Sequence, residues 1–343
     1  MSDWTPTEME RTRRLMSWVV LAVFAGIAAI AVSVACGKKN EKPSAAAPAA
    51  SAPAPAASPA VPRIEETPAF RETAVPGEAP YAAVQQPFDC AVDDRGRLWV
   101  LDSVNGRVRV FDDRGGYLGG WGGNLEKGEY SFRAPEGIAI AGDSVYIADT
   151  WAGGVRAFSR KGEPLGRAAG LYGPRGIAAG AGVVWVTDTG NGRLMAYDAN
   201  LANPRVIGKP GTGGGEFNGP VGIAVGPSGN LFVGDASNAR VQVLDKNGRF
   251  VRSWSLPWLK TSWQAHIAVD SRGTVYLSHP DGASVLAFDK AGAQRKAWTE
   301  DDSGAKLIRP VGVAVDQKAG ILYVMDTGSH RVRRIALSGA AAR

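Results

Sequence analysis

The stretch "PVGIAVGPSGNLFVGDASNARVQVL", Pro220 to Leu244, reads as three strands and two reverse turns. Its runs "GIAV", "LFVGD" and "RVQVL" are short, β-branched or aromatic, and without helical periodicity, and Pro227 to Gly229 supplies the turn signal between the first two. Working outward, the same phrase returns as "PFDCAVDDRGRLWVLDSVNGRVRVF" from Pro87, "PEGIAIAGDSVYIADTWAGGVRAF" from Pro135 and "PRGIAAGAGVVWVTDTGNGRLMAY" from Pro174. Two further copies follow, "QAHIAVDSRGTVYLSHPDGASVLAF" from Gln264 and "PVGVAVDQKAGILYVMDTGSHRVRRI" from Pro310. A spacing of roughly 39 to 48 residues lies in the range of propeller blades.

Within each copy the middle strand ("LWVLD", "VYIAD", "VWVTD", "LFVGD", "VYLSH", "LYVMD") is apolar on both sides, so both of its faces are expected to be covered. Radially stacked sheets achieve this. The preceding strand is built from Gly and Ala, which lets backbones crowd around a central axis. The expected fold is therefore all-β: a six-bladed propeller of four-stranded antiparallel meanders over residues 64–343.

The phrases "PVGIAV", "GNLFVGDASNARVQVLD" and "DTGSHRVRRI" resemble the NHL-repeat family, whose members form six-bladed propellers. Ser329, His330, Arg331 and Val332 carry the family's eponymous turn most closely, and Asn105, Asn191 and Asn238 are its Asn in other copies. Copy two departs with Ala152 and Gly154 at the usual Asn and Arg positions, and copy five with Gly282 and Ser284 there and His279 in place of Asp. The last copy leaves too little chain for a fourth strand. Residues 68–76, "PAFRETAVP", are expected to supply it by pairing with Arg331 to Leu337, which would remove an open edge.

The chain before the repeats is of another kind. Residues 1–14 form a basic segment with Arg11, Arg13 and Arg14, and residues 15–36 an uncharged apolar stretch ending at Cys36. At roughly 21 residues that stretch can span a bilayer as a helix. It also resembles a bacterial lipoprotein signal peptide, because "SVAC" places small residues before Cys36, which the resemblance makes a lipidation site; Ser33 departs from that pattern, and an uncleaved anchor is the alternative. Residues 37–63 hold an Ala/Pro/Ser run suited to a disordered tether. The only other cysteine, Cys90, occupies an Ile slot and is expected in the core, unpaired. This layout predicts an extracytoplasmic propeller with the membrane as a partner, whether the segment is cleaved and lipidated or kept as an anchor.

The net charge is +6, but seven basic and four acidic residues precede residue 64, leaving 32 basic and 29 acidic residues on the propeller. So small an excess gives little drive toward phosphate, and no nucleic-acid partner is expected. Two constellations are candidate binding sites. Asp102, Asp188, Asp235 and Asp326 are spaced to pair with Arg107, Arg193, Arg240 and Arg331, as braces of each turn or as a basic rim for an acidic ligand. Copy five is the most aberrant: His266 stands where Gly is usual, His279 where Asp is usual, and Trp254, Trp258 and Trp263 precede them. Antiparallel pairing carries both histidines to one mouth of the channel, with Asp89, which replaces Gly in copy one, on the same rim. Two His can begin a metal site but not complete one.

Catalytic motifs are missing from the sequence. "GEAP" at Gly77 to Pro80 only faintly echoes a metal-binding phrase of gluconolactonase-like propellers, and the peptide-amidating lyases use several channel histidines where this chain has three in all. "GTGGGEFNG" from Gly211 leads into a strand and not into the helix that a phosphate loop requires. The expectation is a non-catalytic binding, scaffold or sensor module for a protein, peptide or envelope ligand, without a cofactor. A metal-dependent propeller enzyme is the alternative.

Overall fold

The computed structural model describes residues 84–122, 132–262 and 264–337. They form a six-bladed β-propeller in which the blades follow chain order. Blades one to five are four-stranded meanders and blade six has three described strands. The innermost strands are Pro87–Val92, Pro135–Ala141, Pro174–Gly180, Pro220–Val225, Ile267–Val269 and Pro310–Asp316. Among the described residues no helix is long and apolar enough to cross a membrane, and the 15–36 stretch with Cys36 lies outside them.

The Pro-x-Gly opener has a geometric cause. Pro can open a strand because its missing N–H is not needed there. Directly after it the pairing with the second strand slips, between Pro87 and Asp89, Pro135 and Gly137, Pro220 and Ile223, and Pro310 and Val313. The slip turns the opening of each inner strand against its neighbour. A Cβ on Gly137 would lie 2.3 Å from the Arg175 carbonyl oxygen, one on Gly176 2.3 Å from that of Val221, and one on Gly222 2.7 Å from that of Ala265. Glycine is therefore required here by close approach of backbones, not by an unusual φ.

Each buried apolar cluster is shared by two neighbouring blades. Trp99, Leu101 and Val108 of blade one pack with Ile138, Val145 and Phe158 of blade two. The ring closes in the same way, because Leu98, Val100 and Phe111 pack with Ala314, Tyr323 and Met325 of blade six. Cys90 belongs to this closing cluster, and burial pushes its thiol pKa well up, as expected of a core residue. A blade alone would leave both of its greasy faces wet; only the closed ring covers them all.

Polar staples accompany these cores. The hydroxyl that follows the turn Asp donates to the carbonyl of the next blade's opening Pro: Ser103 to Pro135 at 2.7 Å, Thr150 to Pro174 at 2.7 Å, Thr189 to Pro220 at 2.6 Å and Thr327 to Pro87 at 2.5 Å. The last of these crosses the closure. There, too, the Gln86 N–H donates to His330 Nδ1 at 3.1 Å and Lys318 Nζ donates to the Asp94 carbonyl at 2.7 Å.

The expected closing strand, residues 68–76, lies outside the described residues. Part of the edge assigned to it is already covered. The Ala336 N–H donates to the Asp302 carboxylate at 2.8 and 3.0 Å, and the Asp302 N–H donates to the Arg334 carbonyl at 3.1 Å.

Candidate functional site

At one end of the ring the turns between second and third strands meet the loops entering each innermost strand. The turn Asp residues with their arginines, Asp89, His266 and His279 gather on this loop face because the blade repeats the same path six times. The turn Asp is its fixed point. Asp102, Asp149, Asp188, Asp235 and Asp326 are all fully buried. Asp188 accepts from the Tyr172 N–H at 2.7 Å, Asn191 Nδ2 at 2.9 Å and Arg193 Nε at 2.8 Å. Asp102 and Asp235 repeat the pattern with Arg107 and Arg240, each at 2.8 Å. Buried carboxylates persist because every oxygen is satisfied by a charged or backbone donor.

The four arginines differ in what remains of them. Arg240 is spent: beyond Asp235 its guanidinium donates to the carbonyls of Thr212, Gly213 and Glu216 at 2.8, 2.8 and 2.9 Å, so it pins the Gly-rich loop. Arg107 and Arg193 are braced but keep part of their surface, with side chains 19% and 30% exposed. Arg331 departs from the expected pairing. It is exposed, and Arg333, two residues along on the same side of the strand, reaches Asp326 at 3.4 Å instead. Blade two makes the same substitution: Gly154 provides no side chain, and Arg156 reaches Asp149 at 3.5 Å.

At the channel mouth, Asp89 and His266 fill the two positions where glycine is otherwise the rule. His266 Nδ1 lies 3.1 Å from Asp89 Oδ1, and Asp89 Oδ2 accepts the Ile138 N–H at 2.9 Å. The pair bridges blades one and five past Gly312 of blade six, where a Cβ would come within 2.5 Å of Asp89 Cα. A second pair, Glu136 with Arg175, joins blades two and three beside it. Burial alone would depress the His266 pKa, but the Asp89 carboxylate and Glu136 outweigh it and hold the imidazole above its ordinary value. Burial raises the Glu136 pKa, partly offset by Arg175 and His266. Sequence reasoning found Asp89 and His266 but missed Glu136 and Arg175, which sit at the x of Pro-x-Gly and look like ordinary exposed residues.

His279 goes elsewhere. Its ring stacks on Trp258 with centroids 4.0 Å apart and planes 28° from parallel, and Gly282 makes room, since a Cβ there would lie 2.3 Å from the ring. Burial holds its pKa below the ordinary value, partly offset by Asp281. Trp254 and Trp258 pack on the core between blades four and five, Trp254 against Phe288 at 6.2 Å. Trp263 lies outside the described residues. Among the described residues, no three His, Cys, Asp or Glu side chains come together as metal ligands.

Trp151 and Tyr172 were not singled out by sequence reasoning. Trp151 is 77% exposed at the tip of the blade-two turn, and Tyr172 is 63% exposed in the loop entering blade three. A signal was available: "DTWAGG" puts a large aromatic ring in a turn that is otherwise small and polar.

Comparison with known proteins agrees with the architecture. A model of the NHL repeat matches residues 217–244 and 307–335. NHL repeat-containing protein 3 of Mus musculus is 25% identical over 288 residues, 68% of this chain and 77% of that protein. The Bos taurus E3 ubiquitin-protein ligase TRIM71 is 32% identical over 176 residues, 48% of this chain but 18% of that protein. Among solved structures, a streptogramin B lyase has TM-score 0.51 at 15% identity, covering 79% of this chain and 88% of that one. A gluconolactonase of Xanthomonas campestris has TM-score 0.53 at 15% identity, covering 70% and 84%. At such identities the solved structures speak for the fold alone.

Proposed function

For a chain that carries NHL repeats in a six-bladed propeller, we propose a non-catalytic role: a membrane-tethered, extracytoplasmic scaffold or sensor that holds a protein or peptide partner on its loop face. The distribution of exposed apolar side chains carries this reading. Leu118, Leu165, Val206, Phe250 and Val251 lie on outermost strands, and Val104, Trp151, Tyr172 and Ile308 all lie on the loop face; among the described residues the opposite turns have none. The recurring Asp residues beneath that face are meanwhile spent on internal bonds. A face that shows large apolar groups while its polar ones turn inward is suited to being covered. The tether and the export of the propeller rest on residues 1–63, whose apolar stretch ends at Cys36 and whose Ala/Pro run gives reach.

A photo-crosslinking side chain placed at Val104 or His330 on the loop face, or at Asn247 on the opposite face, tests the proposal in cells. Protein adducts from the first two sites and not from the third are expected. Equal labelling from both faces would refute it. One observation favours the catalytic alternative: His266 is oriented through Nδ1 by a buried carboxylate at the mouth of the channel, as an acid–base residue would be. Stoichiometric bound metal on the purified full chain, lost on His266→Ala, would establish that alternative as a metal-dependent propeller enzyme.

A further inference from the structure

The junction of blades two and three concentrates what the loop face offers. The turn holding Trp151 is tied to the next loop by the Leu171 N–H, which donates to the Gly153 carbonyl at 3.0 Å, and that loop is tied to blade three by the Gly190 N–H donating to the Tyr172 carbonyl at 2.8 Å. The Tyr172 ring lies over Gly190, where a Cβ would come within 2.2 Å of it. The two rings are thus held on adjacent, hydrogen-bonded loops and not on a free strand of chain. Three arginines stand on these loops or at the strand ends beside them. Arg193 shares the Asp188 carboxylate with the Tyr172 N–H, and Arg175 follows Pro174, whose carbonyl accepts the Thr150 hydroxyl next to Trp151. Arg133 is exposed and, among the described residues, its side chain forms no hydrogen bond or ion pair, while its N–H donates to Asp149 at 2.9 Å, two residues from Trp151. The described loops of this junction, 132–135, 150–154, 170–175 and 189–193, contain no acidic residue, and the acidic residues that flank them, Glu136, Asp149 and Asp188, are buried.

We infer that Trp151 and Tyr172, with Arg133, Arg175 and Arg193 around them, form a subsite for an extended acidic peptide segment of a partner protein, one that sets Pro or Leu against the rings and a carboxylate against Arg133. The inference rests on the loop-face reading above. Aromatic rings fixed on rigid loops present broad apolar surface at low entropic cost, the arrangement that extended Pro-containing segments use. The charge selects the peptide's sign. It also disfavours nucleic acid, since Arg175 is matched by Glu136 and Arg193 by Asp188, and Arg133 acts on Asp149 at longer range, whereas a phosphate chain would need several free cations.

The test is fluorescence anisotropy of labelled dodecapeptides titrated with the detergent-solubilised full chain. A Pro-Glu-Leu repeat peptide is expected to bind, and the matching Pro-Lys-Leu peptide is not. The double substitution Trp151→Ala with Tyr172→Ala should weaken binding by at least about tenfold, and Arg133→Glu comparably. Both exposed sites should leave the melting temperature unchanged, which separates lost binding from lost folding. Failure of the Glu peptide to bind, equal binding of the Lys peptide, or indifference to the double substitution would overturn the subsite. Preferential binding of oligothymidylate would overturn it in favour of nucleic acid. If any of these occurs while loop-face crosslinks persist, the subsite falls and the broader reading stands.

Discussion

Blades three and five are built on one plan and held together by different means. In blade three a buried Asp188 gathers a backbone N–H, Asn191 and Arg193, and Thr189 staples the next blade. In blade five His279 replaces the Asp and stacks on Trp258, Pro280 replaces the hydroxyl, and the innermost strand shrinks to Ile267–Val269. The preceding junction also lacks its staple, because Ala236 takes the hydroxyl position. What compensates is apolar and axial: the 3₁₀ turn Pro257–Thr261 with its fully buried Leu259, and the His266–Asp89 pair that reaches across to blade one. A repeat protein can thus exchange one local polar knot for a packing contact plus a long-range charge pair, because neighbouring blades share every core.

The sharpest way to break this comparison is to remove the anchor from each blade. Asp188→Ala strands three donors around a fully buried site and should cost about 3–5 kcal/mol, lowering the melting temperature by about 10 °C. His279→Ala loses one stacked contact and should cost only about 1 kcal/mol. Thermal melts of the two variants side by side check it; equal losses would mean that blade five hides a polar anchor of its own.

A smaller effect sharpens the axial half. His266→Ala leaves Asp89 buried without its cation, while Glu136 keeps Arg175, and should cost about 3 kcal/mol, whereas replacing both Asp89 and His266 with Gly restores the rule of the other blades and should cost clearly less than the two single changes summed. The pH profile carries the same information. A histidine whose folded pKa is raised gives stability that is complete below its unfolded pKa and lost as pH rises through the folded one. Glu136, also raised, works in the same direction. Urea stability should therefore fall from slightly acid to slightly alkaline pH in the natural chain and flatten in the double Gly variant. The turn carboxylates of Asp93, Asp245 and Asp289, whose pKa values are lowered by hydrogen bonds to backbone and side-chain donors against the upward pull of burial, act oppositely and only toward acid pH.

How much of this was legible depends on whether a residue's partner lies in its own repeat. The strands, their count and the Gly-driven crowding all follow from one copy multiplied by six. The Asp–Arg brace was legible where the partners are five residues apart, as with Asp188 and Arg193. It was misread at Asp326 because Arg331 and Arg333 lie on the same side of the strand that pairs with Asp326, and spacing alone does not decide which of the two reaches the carboxylate. His266 was legible as an exception and Asp89 as another, but their meeting, past Gly312 of the intervening blade, is a property of the closed ring. Trp151 and Tyr172 belong to different copies and become one surface only when two loops hydrogen-bond.

The smallest predicted effect concerns the staples. Thr189→Val keeps the shape of the side chain but leaves the Pro220 carbonyl without its 2.6 Å donor in a buried site, a loss of about 1–2 kcal/mol. The matching change in the unstapled junction, Ala236→Thr, offers a hydroxyl to the opening of blade five, where Gln264 and not Pro stands. Ala236 is fully buried among Val241, Leu256 and Leu259, so the added atoms must displace packed side chains before any bond forms. The expected outcome is no gain, and a loss of about 1 kcal/mol. Hydrogen exchange at the blade four–five junction checks it: slower exchange in Ala236→Thr would show that the junction lacks its staple by accident of sequence, while unchanged or faster exchange would show that its apolar packing replaces the staple.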